Sequence, residues 1–273
     1  MSRFTTPTLT LNDGKTMPQL GFGTWQIEES AASGVVAMAL DAGYELIDTA
    51  RIYDNEAGVG QGLQGRENFF LTTKVWNDDQ GYREAREAFQ RALERLERES
   101  IDLVLIHWPC PGMEKAVDTW KALIDLRELG KVASIGVSNF RQQDLERIIT
   151  ETGVKPVLNQ IELHPGFQQR ELRELHDSQG IVTQSWSPLG QGQALAEGPI
   201  AQIAEELGQS PAAVVLAWHL HHGLAPIPKA SSRGHIEANF TALQLKLSEE
   251  QVAAIDALDS PDGRLGSDPA TLC

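Results

Sequence analysis

Eight short apolar runs, each followed by a stretch long enough for a helix, restrict the possible folds of this chain more than any other feature. They lie at residues 20–23, 45–48, 69–74, 103–107, 133–137, 157–161, 182–186 and 224–228. The second to seventh runs start at residues 45, 69, 103, 133, 157 and 182, so the steps are 24, 34, 30, 24 and 25 residues, the size of a strand–helix unit. The runs are continuous rather than alternating, as expected for parallel strands covered on both faces. Eight such units fit a closed (β/α)8 barrel better than an open doubly wound sheet. A barrel of this kind takes about 250 residues as one unit, so residues 1–273 are expected to form a single domain.

The segments between the runs have helical patterning. Ser30 is placed to cap a helix through Val35, Val36, Ala39 and Leu40 that stops at Gly43. Residues 83–96 put Ala85, Ala88, Phe89, Ala92, Leu93 and Leu96 on one face with charges opposite. Trp120, Leu123, Ile124, Leu126 and Leu129 form a similar face before Gly130. Ser210-Pro211 is a cap followed by a first-turn proline, and residues 233–240 and 248–258 read as two extra helices. The alternating Thr8-Leu9-Thr10-Leu11, the Asn12-Asp13-Gly14-Lys15 turn and a return through Thr16-Met17 predict an N-terminal β-hairpin. A long loop is expected after the seventh run, around Gly190-Gln191-Gly192-Gln193.

Gly60-Gln61-Gly62-Leu63-Gln64-Gly65 matches the dinucleotide fingerprint letter for letter. That motif needs a strand before it and a helix after it. Here a helical segment precedes it and a strand pattern follows, so a helix end and a turn are expected. Gly136-Val137-Ser138-Asn139-Phe140 lacks the last glycine of a hydrolase nucleophile elbow.

In a (β/α)8 barrel the reacting groups sit at the C-terminal ends of strands. Asp48 ends the second run and Tyr53 follows it; Lys74 ends the third and His107 the fourth. Any one of them alone is unremarkable as a solvated charge or half of an ion pair, but four on adjacent strands point to proton transfer. A lysine about 4 Å from a tyrosine, at an effective dielectric near 20, stabilises the phenolate by up to about 4 kcal/mol. Burial opposes that. Asp48 would keep the lysine charged, and a neutral His107 could orient a carbonyl oxygen. No metal is needed for such chemistry.

These segments resemble the aldo-keto reductases over nearly the whole chain. The likeness runs through Gly21-Phe22-Gly23-Thr24-Trp25, Asp48-Thr49-Ala50 with Tyr53, Thr73-Lys74 and Leu105-Ile106-His107-Trp108-Pro109. It continues through Ile135–Phe140, Asn159-Gln160-Ile161-Glu162-Leu163-His164-Pro165 and Ile227-Pro228-Lys229. Ser185-Trp186-Ser187-Pro188-Leu189-Gly190-Gln191-Gly192 and Ala217-Trp218-His219-Leu220 are most similar to bacterial 2,5-diketo-D-gluconate reductases.

The resemblance implies reduction of a small aldehyde or ketone, an α-ketoaldehyde or a keto-sugar acid, by NADPH held across the barrel mouth. It implies Tyr53 as proton donor, Asp48 and Lys74 as its tuning pair, and His107 as the group that orients substrate. For the cofactor it implies Gly23, Thr24, Ser138, Asn139 and Gln160 near the nicotinamide and Trp186 stacked on it. Ser187, Leu189 and Gln191 would touch the pyrophosphate, and Lys229, Ser231, His235 and Asn239 the adenosine and its 2′-phosphate. Family members often carry arginine where this chain has His235. Histidine is mostly neutral at pH 7 and cannot grip phosphate in a fork, so appreciable use of NADH is expected beside NADPH. The segment from Ser260 to Cys273, with Gly263, Gly266 and two prolines, would fold over the mouth as a C-terminal loop.

Trp25, Trp76 and Trp108 follow strands one, three and four and are expected to wall the substrate pocket. His219, His221 and His222 lie far in sequence from the mouth and read as packing or surface histidines. Cys110 is expected as a free thiol at the pocket rim; with only two cysteines, no disulfide-stapled or zinc scaffold is indicated. Thirty-eight acidic against 23 basic residues leave a net charge of −15, which disfavours nucleic acid as a partner. No apolar run approaches about 18 residues, so a cytoplasmic monomer with no membrane partner is expected. Two rival readings remain: another barrel enzyme using His107 and Asp48 without a nicotinamide, and a non-catalytic NADPH-binding redox sensor on the same scaffold.

Overall fold

The computed structural model describes residues 6–193, 195 and 198–273. Two strands, β1 (Thr8–Thr10) and β2 (Thr16–Pro18), pair antiparallel with Leu9 opposite Met17. The turn between them closes through Leu11 N–H to the Lys15 carbonyl at 2.8 Å, with Gly14 in the left-handed region. The hairpin plugs one end of the barrel. Its Leu11 and Met17 pack on Leu46, Leu103, Leu105 and Leu158, and Ser134 donates to Asp13 at 2.7 Å.

The barrel strands are β3 (Phe22–Gly23), β4 (Leu46–Asp48), β5 (Phe70–Val75), β6 (Ile101–Ile106), β7 (Val132–Ser138), β8 (Leu158–Glu162), β9 (Val182–Trp186) and β10 (Ala225–Pro226). They run parallel in chain order. The ring closes where Gly21 N–H meets the Pro226 carbonyl at 3.0 Å and Gly23 N–H meets that of Pro228 at 3.1 Å. A Cβ on Gly23 would stand 2.8 Å from the Ile227 carbonyl oxygen, so the closing seam admits only glycine there without displacement. Pro226 and Pro228 have no N–H to give, which leaves β10 two residues long.

Helices cover the outside: α1 (Glu29–Ala42), α2 (Glu56–Gly62), α3 (Tyr82–Leu96), α4 (Ala116–Glu128), α5 (Gln142–Thr152), α6 (Arg170–Gln179), α7 (Gly198–Leu207), α8 (Pro211–His221), α9 (Arg233–Phe240) and α10 (Glu249–Asp256). α3 buries the six apolar residues of its expected face, each large one contributing roughly 1.5–3 kcal/mol. Ser210 caps α8 by accepting from Ala213 N–H at 3.1 Å. Ser30 does not cap α1, which begins two residues earlier with Glu28 at the cap position. The expected loop after β9 also contains a helix, α7, whose Ile200, Ile203 and Ala204 bury against Val214, Val215 and Trp218 of α8.

Gly60 and Gly62 lie inside α2, not at a phosphate turn. A Cβ on Gly60 would meet the Leu96 backbone at 2.7 Å, and one on Gly62 would meet Val36 Cβ at 2.8 Å. These glycines allow α2 to pack closely between α1 and the end of α3.

Strand alternation decides which side chains enter the barrel. Along β6, Leu103 and Leu105 join the interior cluster, whereas Val104 and Ile106 face the helices. The same parity carries Leu46 to Asp48, Leu105 to His107, Leu158 to Gln160 and Glu162, and Gln184 to Trp186. Apolar residues therefore fill the hairpin end, and a polar layer accumulates at the other.

Cys110 differs from its expected role. It is fully buried and disulfide-bonded to Cys273, 163 residues away in sequence. Neither sulfur is a free thiol, because the C-terminal segment folds back onto the loop after β6.

Candidate active site

The polar layer lines a cavity of about 350 Å³. Asp48, Tyr53 and His107 border it, with Lys74 just beneath. Lys74 Nζ donates to Asp48 Oδ1 at 2.6 Å, to the Thr49 carbonyl at 2.9 Å and to the Tyr53 hydroxyl at 3.2 Å. Asp48 ends β4, and Thr49 and Tyr53 lie in the segment between β4 and α2, where a short 3-10 turn over Arg51–Tyr53 swings the phenol back toward β5. The other Asp48 oxygen accepts from Gln160 Nε2 at 2.8 Å, and the same nitrogen donates to Gln184 Oε1 at 2.7 Å. Asp48 and Lys74 are both almost fully buried, so neither charge is tolerable without the other.

Burial pulls Lys74 toward the neutral form, but the adjacent Asp48 carboxylate and Tyr53 outweigh it and push its pKa above the ordinary lysine value. The phenol moves against the sequence-based expectation. Burial raises its pKa, the Asp48 charge raises it further, and Lys74 only partly opposes them. Asp48 cancels much of the ammonium's field at Tyr53, so the tyrosine is protonated at neutral pH. His107 lies well below 6.5, first through burial and then through the Lys74 charge. Its ring meets Tyr53 edge-on at 5.8 Å and Trp76 at 5.0 Å, and its buried Nδ1 has no hydrogen-bond partner among the described residues. The imidazole is therefore neutral.

Beside this relay, Ser138 Oγ donates to the Gln160 carbonyl at 2.8 Å, and Asn139 Nδ2 donates to the His107 carbonyl at 3.0 Å. Trp186 Nε1 donates to Asn139 Oδ1 at 2.8 Å. Asn139 and Ser187 hold positive φ values of 62° and 47°, which mark strand ends under local constraint. Trp25, Trp76 and Trp108 all border the cavity, as do Gly23, Ser138, Asn139, Gln160, Trp186, Ser187 and Lys229.

The other expected cofactor residues lie elsewhere. Thr24 is fully buried and gives both its N–H and its hydroxyl to the Asp48 carbonyl, each at 3.0 Å, so it joins β3 to β4 and does not face the cavity. Leu189 lines a neighbouring cavity with His164 and Gly190, and Gln191 is exposed. Ser231 and His235 are exposed at the start of α9, and Asn239 is buried further along it. Lining residues that the sequence reading missed are Ile52, Pro188, Ile227, Gly266 and Ser267. All five lie outside the strands, on connecting or C-terminal segments whose paths no local pattern sets.

Among the histidines, His219 is buried with Nε2 3.1 Å from the Pro188 carbonyl, and His222 pairs with Asp256 at 2.9 Å. A carboxylate does lie near this group, but no cluster of three or more metal-ligating side chains occurs among the described residues.

A barrel whose mouth couples a tyrosine to a lysine–aspartate pair defines a class of reductase, and comparison with known proteins agrees. The aldo/keto reductase family model matches residues 19–260. An aldo-keto reductase of Mycolicibacterium smegmatis is 46% identical over 97% of this chain and 98% of its own length. The methylglyoxal reductase of Escherichia coli strain K12 is 44% identical, covering 95% of each chain. Among solved structures, a mutant of Gox0644 in complex with NADPH superposes with a TM-score of 0.97 at 46% identity, over 99% of this chain and 100% of that one. This chain belongs to the aldo/keto reductase family and is an oxidoreductase.

Proposed function

We propose that this protein reduces small aldehydes and ketones to alcohols with NADPH, acting on α-ketoaldehydes such as methylglyoxal or keto-sugar acids such as 2,5-diketo-D-gluconate. The carrying observation is the Tyr53–Lys74–Asp48 relay opening onto an apolar, tryptophan-walled cavity. The residues present fit a nicotinamide cofactor: Trp186 offers a flat aromatic wall, Ser138, Asn139 and Gln160 a polar edge, and Lys229 a cation at the rim. Bound there, NADPH supplies a hydride. Tyr53 gives its proton to the carbonyl oxygen as that oxygen gains charge, and Lys74 stabilises the phenolate left behind. Asp48 keeps Lys74 charged, and neutral His107 orients the oxygen.

The α9 start carries the adenosine end of the proposed site. Arg233 reaches Glu237 at 3.5 Å, and His235 replaces the forked cation that would grip a 2′-phosphate, which supports appreciable use of NADH. The relay is also what disfavours a non-catalytic sensor, which has no need of a proton donor tuned by a buried pair.

Mixing the protein with NADPH and a panel of methylglyoxal, 2,5-diketo-D-gluconate and simple aldehydes should consume NADPH with at least one α-dicarbonyl. Cofactor binding without turnover on any carbonyl would favour the sensor. Absence of binding would favour a different barrel chemistry.

A further inference from the structure

Glu162 is a carboxylate on the inward parity of β8, 1% exposed, at the mouth of the barrel. Among the described residues its ion-pair partner is His164, Nε2 of which lies 3.4 Å from Oε1. Its two oxygens are instead spent on backbone far along the chain: Leu265 N–H donates to Oε1 at 2.6 Å and Gly266 N–H to Oε2 at 3.0 Å. Burial alone would raise this carboxyl, yet His164 and the two N–H groups together hold it below the ordinary glutamate value. A buried anion accepting two neighbouring amides is a strong and directional clamp.

What the clamp positions is the cavity wall. Gly266 and Ser267 border the same cavity as Tyr53 and His107. Gly266 lies so close to Trp186 that a Cβ would run into the indole, and it would also come within 3.1 Å of Glu162 Oε2. Upstream, Ser260 N–H bonds the Gly166 carbonyl at 3.2 Å. Downstream, Cys273 is tied to Cys110. Between those ties Arg264 lies over the Phe167 ring at 4.7 Å and Gly266 rests on Trp186, while Glu162 accepts the backbone hydrogen bonds of residues 265 and 266.

We propose that Glu162 is a positioning residue for substrate, acting through Leu265 and Gly266 to hold the C-terminal wall that selects small carbonyls over bulky ones. The selectivity part rests on the reductase reading; the clamp itself does not. Glu162→Gln keeps the volume but turns an amide donor toward one of the two N–H donors. The wall then loosens while the Tyr53–Lys74–Asp48 relay is untouched.

Two measurements test this. Trypsin should cut the Arg264–Leu265 bond at least ten-fold faster in Glu162→Gln than in the wild type, with other sites unchanged, as read by mass after reduction of the disulfide. With NADPH, the ratio of kcat/KM for methylglyoxal over that for an aromatic aldehyde should fall at least five-fold. The change should lie in KM, with kcat for methylglyoxal within two-fold of wild type. Gly266→Ala should reproduce the selectivity change, and the double variant should be no worse than either single one, because both act on one wall. If Glu162→Gln fails to fold, Gly266→Ala carries the test alone. Unaltered selectivity and cleavage in these variants would overturn the proposal. A wild type inactive on every carbonyl would instead overturn the reductase reading and leave the trypsin result to decide the clamp.

Discussion

Tyr53 shows how far a pairwise estimate reaches. A lysine at 3.2 Å suggests a strongly acidified phenol, but the same ammonium is 2.6 Å from Asp48. A buried pair presents its neighbour with something closer to a dipole than a full charge, so desolvation prevails and the phenol is raised. In the proposed reaction the lysine acts when the phenolate forms, by lowering the energy of a state the ground state does not populate. Tyr53→Phe should lose at least 10²-fold in carbonyl reduction, the ordinary scale of general-acid catalysis, while NADPH still quenches tryptophan fluorescence. Unchanged turnover would mean that another group donates the proton.

At the scale of elements, α9 and the C-terminal segment shape the two ends of the proposed site. Wild-type preference for NADPH over NADH in kcat/KM is expected below about 10³, worth about 4 kcal/mol of transition-state binding. His235→Arg should raise that ratio at least ten-fold by adding a forked, permanently charged donor. The C-terminal segment is held covalently as well as by hydrogen bonds. Cys273→Ser removes a cross-link spanning 163 residues, which typically contributes about 2–4 kcal/mol through the unfolded state. At roughly 2–4 °C per kcal/mol for a chain of this size, Tm should fall by about 5–10 °C. A reductant should lower the Tm of the wild type similarly and leave the variant unmoved.

The whole molecule should lose stability in mild acid, because several histidines are buried neutral. Burial holds His176 at about 4 and His219 at about 3, and drives His107 well below 6.5. With folded values depressed below the unfolded 6.5, the unfolded chain binds more protons across that interval. The contribution of each neutral ring is complete above pH 6.5 and is lost as pH falls toward the folded value. By pH 5 that amounts to about 2 kcal/mol for His176 and about the same for His219. The urea midpoint should therefore be clearly lower at pH 5 than at pH 7.5, with little change in m. Equal midpoints would show these rings to be protonated or exposed. The charge of −15 lies mostly on the outer helices; Lys229 marks where the mouth departs from it.

The sequence by itself determined the strand–helix series and the strand parity, because both are local periods written in consecutive residues. That parity is enough to send Asp48, Lys74, His107, Gln160 and Trp186 to one mouth, and the order of helix before strand is enough to deny Gly60-Gln61-Gly62 a phosphate role. Helix α7 escaped because a Gly-rich start hid a short apolar face that only α8 completes. Everything that depends on two distant segments meeting was decided by the tertiary structure. The seam from Gly21 and Gly23 to Pro226 and Pro228, the Cys110–Cys273 bond and the Glu162 clamp each join residues about 100 or more positions apart, and no local pattern encodes their distance. The direction of the Tyr53 shift belongs with them. Burial is a property of the closed barrel, and it outweighs the charge that the sequence placed beside the phenol.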